Sequence, residues 1–195
     1  MNQKSFTQLY WGFLFMMLDF RIQGLDILPD TVGYILFALA FYALASNSGY
    51  FDKAFKMNLP MIVLSLFSVY EKQEQGSEIN MPGININFGN AGTLTILGNA
   101  ASILISIASW ILSLLIVYYL FMGIKEMSGN VHRDLYEEAD RRWNQYLMLQ
   151  IGVLLGFVII FIPGLNFLYV IGILVASIIL MLAILRLMKR CGERL

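Results

Sequence analysis

The chain has 195 residues, 58% of them hydrophobic and 13% charged, with 13 basic residues balanced by 13 acidic ones and a mean hydropathy of +0.70. Soluble domains carry roughly 45 to 50% apolar residues, so water is excluded as the main solvent, and zero net charge gives no footing for nucleic acid as a partner. One cysteine, Cys191, and one histidine, His132, exclude an internal disulfide and leave the common zinc sites without ligands, so neither metal nor cofactor is expected.

The first apolar run, in MNQKSFTQLYWGFLFMML, ends in DFRIQG without the small-residue pattern of a signal-peptide cleavage site. It is expected to stay as a membrane span, and no lipidation motif accompanies it. With five more apolar runs, the predicted spans are 6–22, 28–45, 54–70, 95–122, 146–162 and 164–187. The first, third and fifth, at about 17 residues, sit at the lower limit for crossing hydrocarbon. The fourth, at about 28, has length to tilt. Pro163 and Gly164 break what would otherwise be one overlong helix and predict a tight helical hairpin. The expected fold is all-α, a single polytopic transmembrane helix bundle over 1–195.

Six spans put the N-terminus, the second and fourth connections and the C-terminus on one side. That side holds Lys4, Lys53, Lys56, Lys125, Arg133, Arg141, Arg142, Arg186, Lys189, Arg190 and Arg194, against Arg21 and Lys72 on the other. Cytoplasmic loops collect Lys and Arg, which predicts both termini inside a bacterial cytoplasmic membrane. Trp143, Tyr146, Tyr118 and Tyr119 fall at the matching aromatic belt.

Between the first two spans lies GLDILPDTVGY, with a proline between two aspartates. Proline disfavours helix at the residue before it and is tolerated in a first turn, so the second span is expected to begin near Pro29. Asp30 then meets the positive end of the helix dipole, or Asp26 serves as N-cap if the helix starts earlier. A second reading gathers Asp19, Arg21, Asp26 and Asp30 into an outer acidic cluster able to hold a cation.

The connection 71–94 is polar, with Ile84, Ile86 and Phe88 alternating against Asn85 and Asn87, which fits a short strand or hairpin on the outer surface as well as it fits an irregular loop. On the inner side, residues 131–145 form an amphipathic pattern with Leu135, Ala139, Trp143 and Tyr146 on one face. Glu137 with Arg141 and Glu138 with Arg142 are spaced as i,i+4 pairs. A cytoplasmic helix lying on the membrane and bending into the fifth span is expected, with docking to a partner as the alternative.

Within the fourth span Gly98, Ser102, Ser106, Ser109 and Ser113 share one helix face. Small residues permit close helix packing, and such a stripe would also suit a hydrated path for a small polar solute. Gly152 with Gly156, and Gly172 with Ala176, are small-xxx-small pairs expected to pack the last two spans together. Asn99, Gln150 and Asn166 are read as the other polar residues in or near the spans, and no charged residue is placed at mid-membrane. His132 reads as a solvated histidine, and Cys191 as a plain reduced thiol, with acylation as the alternative.

The residues Asp26, Ile27, Leu28, Pro29 and Asp30, followed by Gly33, Tyr34 and an apolar helix, resemble a family of bacterial multi-span membrane proteins with an Asp-Ile-Leu-Pro-Asp/Asn core. The resemblance covers roughly the first two spans. It implies a bacterial inner-membrane setting and no particular activity. No protease, hydrolase or nucleotide-binding motif is present, so an enzyme is not expected. The leading expectation is a non-enzymatic membrane subunit or interaction module whose partners are the lipid bilayer and another membrane protein or a second copy. A small-solute or ion transporter is the alternative.

Overall fold

The computed structural model describes residues 2–17, 21–22, 25–26, 30–71, 93–129, 131–159, 162 and 165–195, with side chains described for 2–16, 31–65, 104–129, 131–156, 159, 162 and 165–195. Six helices make up the described fold: α1 (Asn2–Met17), α2 (Asp30–Leu44), α3 (Gly49–Glu71), α4 (Thr93–Ser128), α5 (Arg133–Ile159) and α6 (Leu165–Arg194). Two short strands, β1 (Arg21–Ile22) and β2 (Leu25–Asp26), pair antiparallel between α1 and α2. The predicted outer connection lies almost wholly outside the described residues.

Local chemistry accounts for several helix ends. Ser48 precedes α3, and its Oγ accepts the backbone N–H of Tyr50 at 3.1 Å, supplying a partner for a donor that the helix leaves unpaired. Asp52 follows in the first turn of α3 and Asp134 in that of α5, while Lys125 and Arg194 close α4 and α6, each charge opposing the local end of the helix dipole. Ser128 turns its hydroxyl back to the Ile124 carbonyl at 2.7 Å, and its own carbonyl accepts from Val131 and His132, which starts the reversal into α5.

Each helix packs on its chain neighbours, and α6 returns to α1. The contacts run in opposite directions along every pair, as Ser48 with Glu126, Trp110 with Gln150 and Asn2 with Leu195 illustrate. The result is an up-and-down ring in which both ends of the chain lie side by side, the Asn2 amide donating to the Leu195 carbonyl at 2.8 Å. The fully buried side chains concentrate toward that end: Phe6 and Leu9 of α1, Phe41 and Leu44 of α2, Phe51 of α3, Phe121 and Ile124 of α4, Leu135 of α5 and Ile184 and Met188 of α6. Away from it, α4 over 104–115, α5 over 147–156 and α6 over 165–179 contain no buried residue.

Two helical stretches, Leu104–Ser128 of α4 and Leu165–Arg194 of α6, are long and apolar enough to cross a membrane, and only 22% and 17% of their most apolar windows are buried in the protein. A core helix of a soluble fold is mostly buried, so this exposure associates both with an apolar surrounding. The remaining helices depart from the expected spans for identifiable reasons. α1 and α2, at 16 and 15 residues, rise only about 24 and 22 Å: α1 ends at Met17 and β1 takes up Arg21 and Ile22, the last residues of the first expected span, while α2 runs from Asp30 to Leu44, inside the expected 28–45. α5 runs unbroken from Arg133 to Ile159, so the expected surface helix and fifth span are one rod. Its apolar stripe of Leu135, Ala139, Trp143 and Tyr146 is buried in the protein core instead of lying on lipid.

Candidate functional site

The entry to α2 is the first candidate. The backbone of Arg21 stands opposite Asp26 across the two-stranded hairpin, and Asp30 is the first residue of α2. That register brings the chain positions of Arg21 and Asp26 together and puts Asp30 at the positive end of the helix dipole. Asp19 lies outside the described residues, as do the side chains of Arg21, Asp26 and Asp30, so the cation-holding cluster is not described side chain by side chain.

The residues just after the aspartates fasten α2 to both neighbours. Thr31 Oγ1 and Ser65 Oγ of α3 share a buried hydrogen bond of 2.9 Å. The Asn58 amide of α3 donates to the Tyr34 carbonyl at 2.6 Å. On the other side, Gly33 meets Gly12 of α1 so closely that a methyl on Gly33 would sit 3.0 Å from the Gly12 carbonyl and 2.8 Å from Met16 Cγ. The Gly-Tyr of the motif is therefore a docking element, glycine for close approach and the next carbonyl for a polar tie.

Asn58 is the residue that the sequence reading passed over. It is fully buried, and its Oδ1 has no hydrogen-bond partner among the described residues. The signal was present in KMNLPM: a lone carboxamide within an apolar run, two residues before a proline whose missing N–H leaves the Lys56 carbonyl without its helical donor.

The serine stripe divides. Gly98 and Ser102 lie in the part of α4 whose side chains are not described, Ser106 is exposed, and Ser109 and Ser113 are half-buried. Ser113 and Gln150 both face the Tyr146 hydroxyl, and the Trp110 Nε1–H donates to Gln150 Oε1 at 3.1 Å. The lower part of the stripe thus belongs to a polar seam joining α4 to α5.

Gly152 and Gly156 receive α6: the Tyr169 hydroxyl donates to the Gly152 carbonyl at 2.6 Å, and a methyl on Gly156 would lie 3.3 Å from the Tyr169 ring. Gly172 and Ala176, expected to share that seam, are exposed, and nothing lies within 4 Å of a methyl at Gly172. Tyr169 and Ile173 occupy the contact instead, on a different face of α6.

The most developed polar constellation is at the basic end. Arg190 bonds both Glu138, in a very short contact, and Asp134 at 2.9 Å, while Arg194 reaches Asp134 at 2.5 Å. Glu138 also pairs with Arg142 at 3.5 Å as expected, whereas Glu137 pairs with Arg133 at 3.0 Å. Lys125 of α4 meets Asp140 of α5 at 2.5 Å and sits over the Tyr136 ring. Partial burial opposes the Lys125 charge, but the bond and charge of Asp140 outweigh it and raise its pKa. Asp134 loses a little solvation, yet the charge of Arg194, the Leu135 amide and Arg190 hold it below the usual carboxylate range.

Beneath this network Cys191 is fully buried, and burial, followed by the charge of Glu138, pushes its thiol up to about 12. Acylation of this thiol would require α6 to separate from its neighbours. The arrangement as a whole is a set of fixed charges tying α4, α5 and α6, and among the described residues no three His, Cys, Asp or Glu side chains converge on a metal-sized site. No family model, no curated protein and no solved structure matches this chain.

Proposed function

We propose that the chain is a six-span membrane protein with both termini in the cytoplasm, acting as a non-enzymatic subunit or interaction module that packs against another membrane protein or a second copy of itself. The observation that carries this reading is on α4. Five consecutive residues, 104–108, are all exposed, with Leu104 at 68% and Ile105 and Ile107 near half. Five consecutive positions cover every face of a helical turn. A helix at home in a lone bundle buries one stripe against its neighbours, whereas these turns bury none and carry no charge. Hydrocarbon accounts for one side of such a helix, and a partner helix accounts for the rest.

The eleven-to-two charge asymmetry supports the orientation, and the ion-paired basic end supports a rigid base from which the apolar halves of α4, α5 and α6 project. A photo-crosslinking residue at Leu104 tests the module. In native membranes it should give one discrete product of higher mass, while the same group at Tyr42, an exposed position on α2, gives none. Lipid adducts alone at both positions, together with solute-dependent stabilisation of the isolated chain, would overturn the module in favour of a transporter.

A further inference from the structure

The cations near the end of α6 divide into paired and unpaired ones among the described residues. Arg190 and Arg194 turn to α5 and are neutralised by Asp134 and Glu138. Arg186 and Lys189 are exposed and make no ion pair among the described residues. Lys189 lines a cleft of about 350 Å³ between α1 and α6, together with Gln3, Thr7, Trp11 and Glu193. On the other flank of α1 a cleft of about 580 Å³ shares Gln3, Thr7 and Trp11 and adds Lys4, Phe15 and Leu36. The shared residues are spaced by four, so they form one exposed ridge of α1 with Lys4 on one side and Lys189 on the other.

Along this ridge the chemistry changes in one direction. Gln3, Lys4 and Thr7 lie at the basic end, and Phe15 lies about 16 Å further along the helix. Trp11, 47% exposed between them, has the amphipathic ring that settles at the headgroup level of a bilayer. Lys4 and Lys189 form no ion pair among the described residues, and with Glu193 as the one carboxylate lining the two clefts they leave a net positive charge that draws a counter-anion from the surface itself.

We propose that this seam binds an anionic phospholipid, with its phosphate over the Thr7 ridge between Lys4 and Lys189, its headgroup hydroxyls toward Gln3 and Glu193, and an acyl chain along Trp11, Phe15 and Leu36. The inference rests on the membrane reading above and adds a specific lipid site to it. Trp11 supplies the probe. In a Trp110→Phe, Trp143→Phe background it is the sole tryptophan, and the full chain is reconstituted in phosphatidylcholine vesicles containing brominated phosphatidylglycerol or brominated phosphatidylethanolamine.

The glycerol lipid should quench Trp11 with an affinity about fivefold or more above the ethanolamine lipid, the scale expected for lysine–lipid charge contacts. Lys4→Gln with Lys189→Gln should abolish the preference. Lys53→Gln, at the same end but outside both clefts, should leave it unchanged. Equal quenching by the two lipids, or an equal loss with Lys53→Gln, overturns the site and leaves the membrane reading standing. No quenching by either lipid overturns both. Native mass spectrometry of the unmutated chain is independent of the tryptophan background: a retained phosphatidylglycerol adduct, lost in the double lysine variant, supports the site, and its absence overturns it.

Discussion

Gly33 shows how much one missing methyl can decide. A side chain there meets the carbonyl of Gly12 at 3.0 Å, and backbone cannot swing aside as the Met16 side chain can. Gly33→Ala is therefore expected to lower stability by about 1–3 kcal/mol through overpacking, read as a fall in the thermal midpoint in detergent. Gly172→Ala is the contrast: with open space around it, it should be neutral or gain up to about 1 kcal/mol of helix propensity. Cys191 carries a second prediction at this scale. A thiol raised from 9.0 to about 12 and fully buried stays protonated and unreactive near neutral pH. A maleimide should fail to label it in the native protein on either side of an opened membrane and should label it after unfolding in hot dodecyl sulfate. The linkage has a definite sign: a folded pKa above the unfolded one means that stability is complete below pH 9 and declines as pH rises from about 9 to about 12.

At the scale of elements, α5 is where pattern and packing diverge most. Its amphipathic stripe and Glu138–Arg142 spacing were legible, but the same stripe suits a lipid surface and a protein core, and only the approach of α4 and α6 selects the second. Glu138 has a side chain only 14% exposed and serves both Arg190 and Arg142. Glu138→Gln would leave two guanidinium groups short of a counter-charge and should cost about 1–3 kcal/mol, measured by thermal unfolding. Asp134→Asn, at a 48% exposed side chain, should cost less, because solvent screens its pairs. The depressed Asp134 pKa gives this clasp its acid response. Its contribution is present above the ordinary carboxylate value and is lost as pH falls through the lower folded one, so acidification should weaken the α5–α6 contact in the native chain and have less effect in Asp134→Asn.

For the whole molecule, the antiparallel ring puts its two ends at opposite poles, and the six-span proposal assigns those poles to opposite sides of a membrane. Single cysteines in a Cys191→Ser background test this directly, since the native thiol is too deeply buried to report. Ser46→Cys, in the exposed turn after α2, should react with an impermeant maleimide only after spheroplasts are opened, whereas Ser77→Cys, in the opposite connection, should react while they are sealed. The reverse pattern, or equal reactivity, would remove the orientation. Composition, the order of apolar and charged segments, and the breaks at Pro29 and Pro163 are local properties, and the sequence alone determined from them an all-helical chain suited to an apolar solvent. Which glycines face a helix and which face open space, why Asn58 sits in the core, and which charge pairs bridge helices are set by the rotation and approach of whole helices. Those depend on contacts between residues far apart in the chain, and only the tertiary structure decided them.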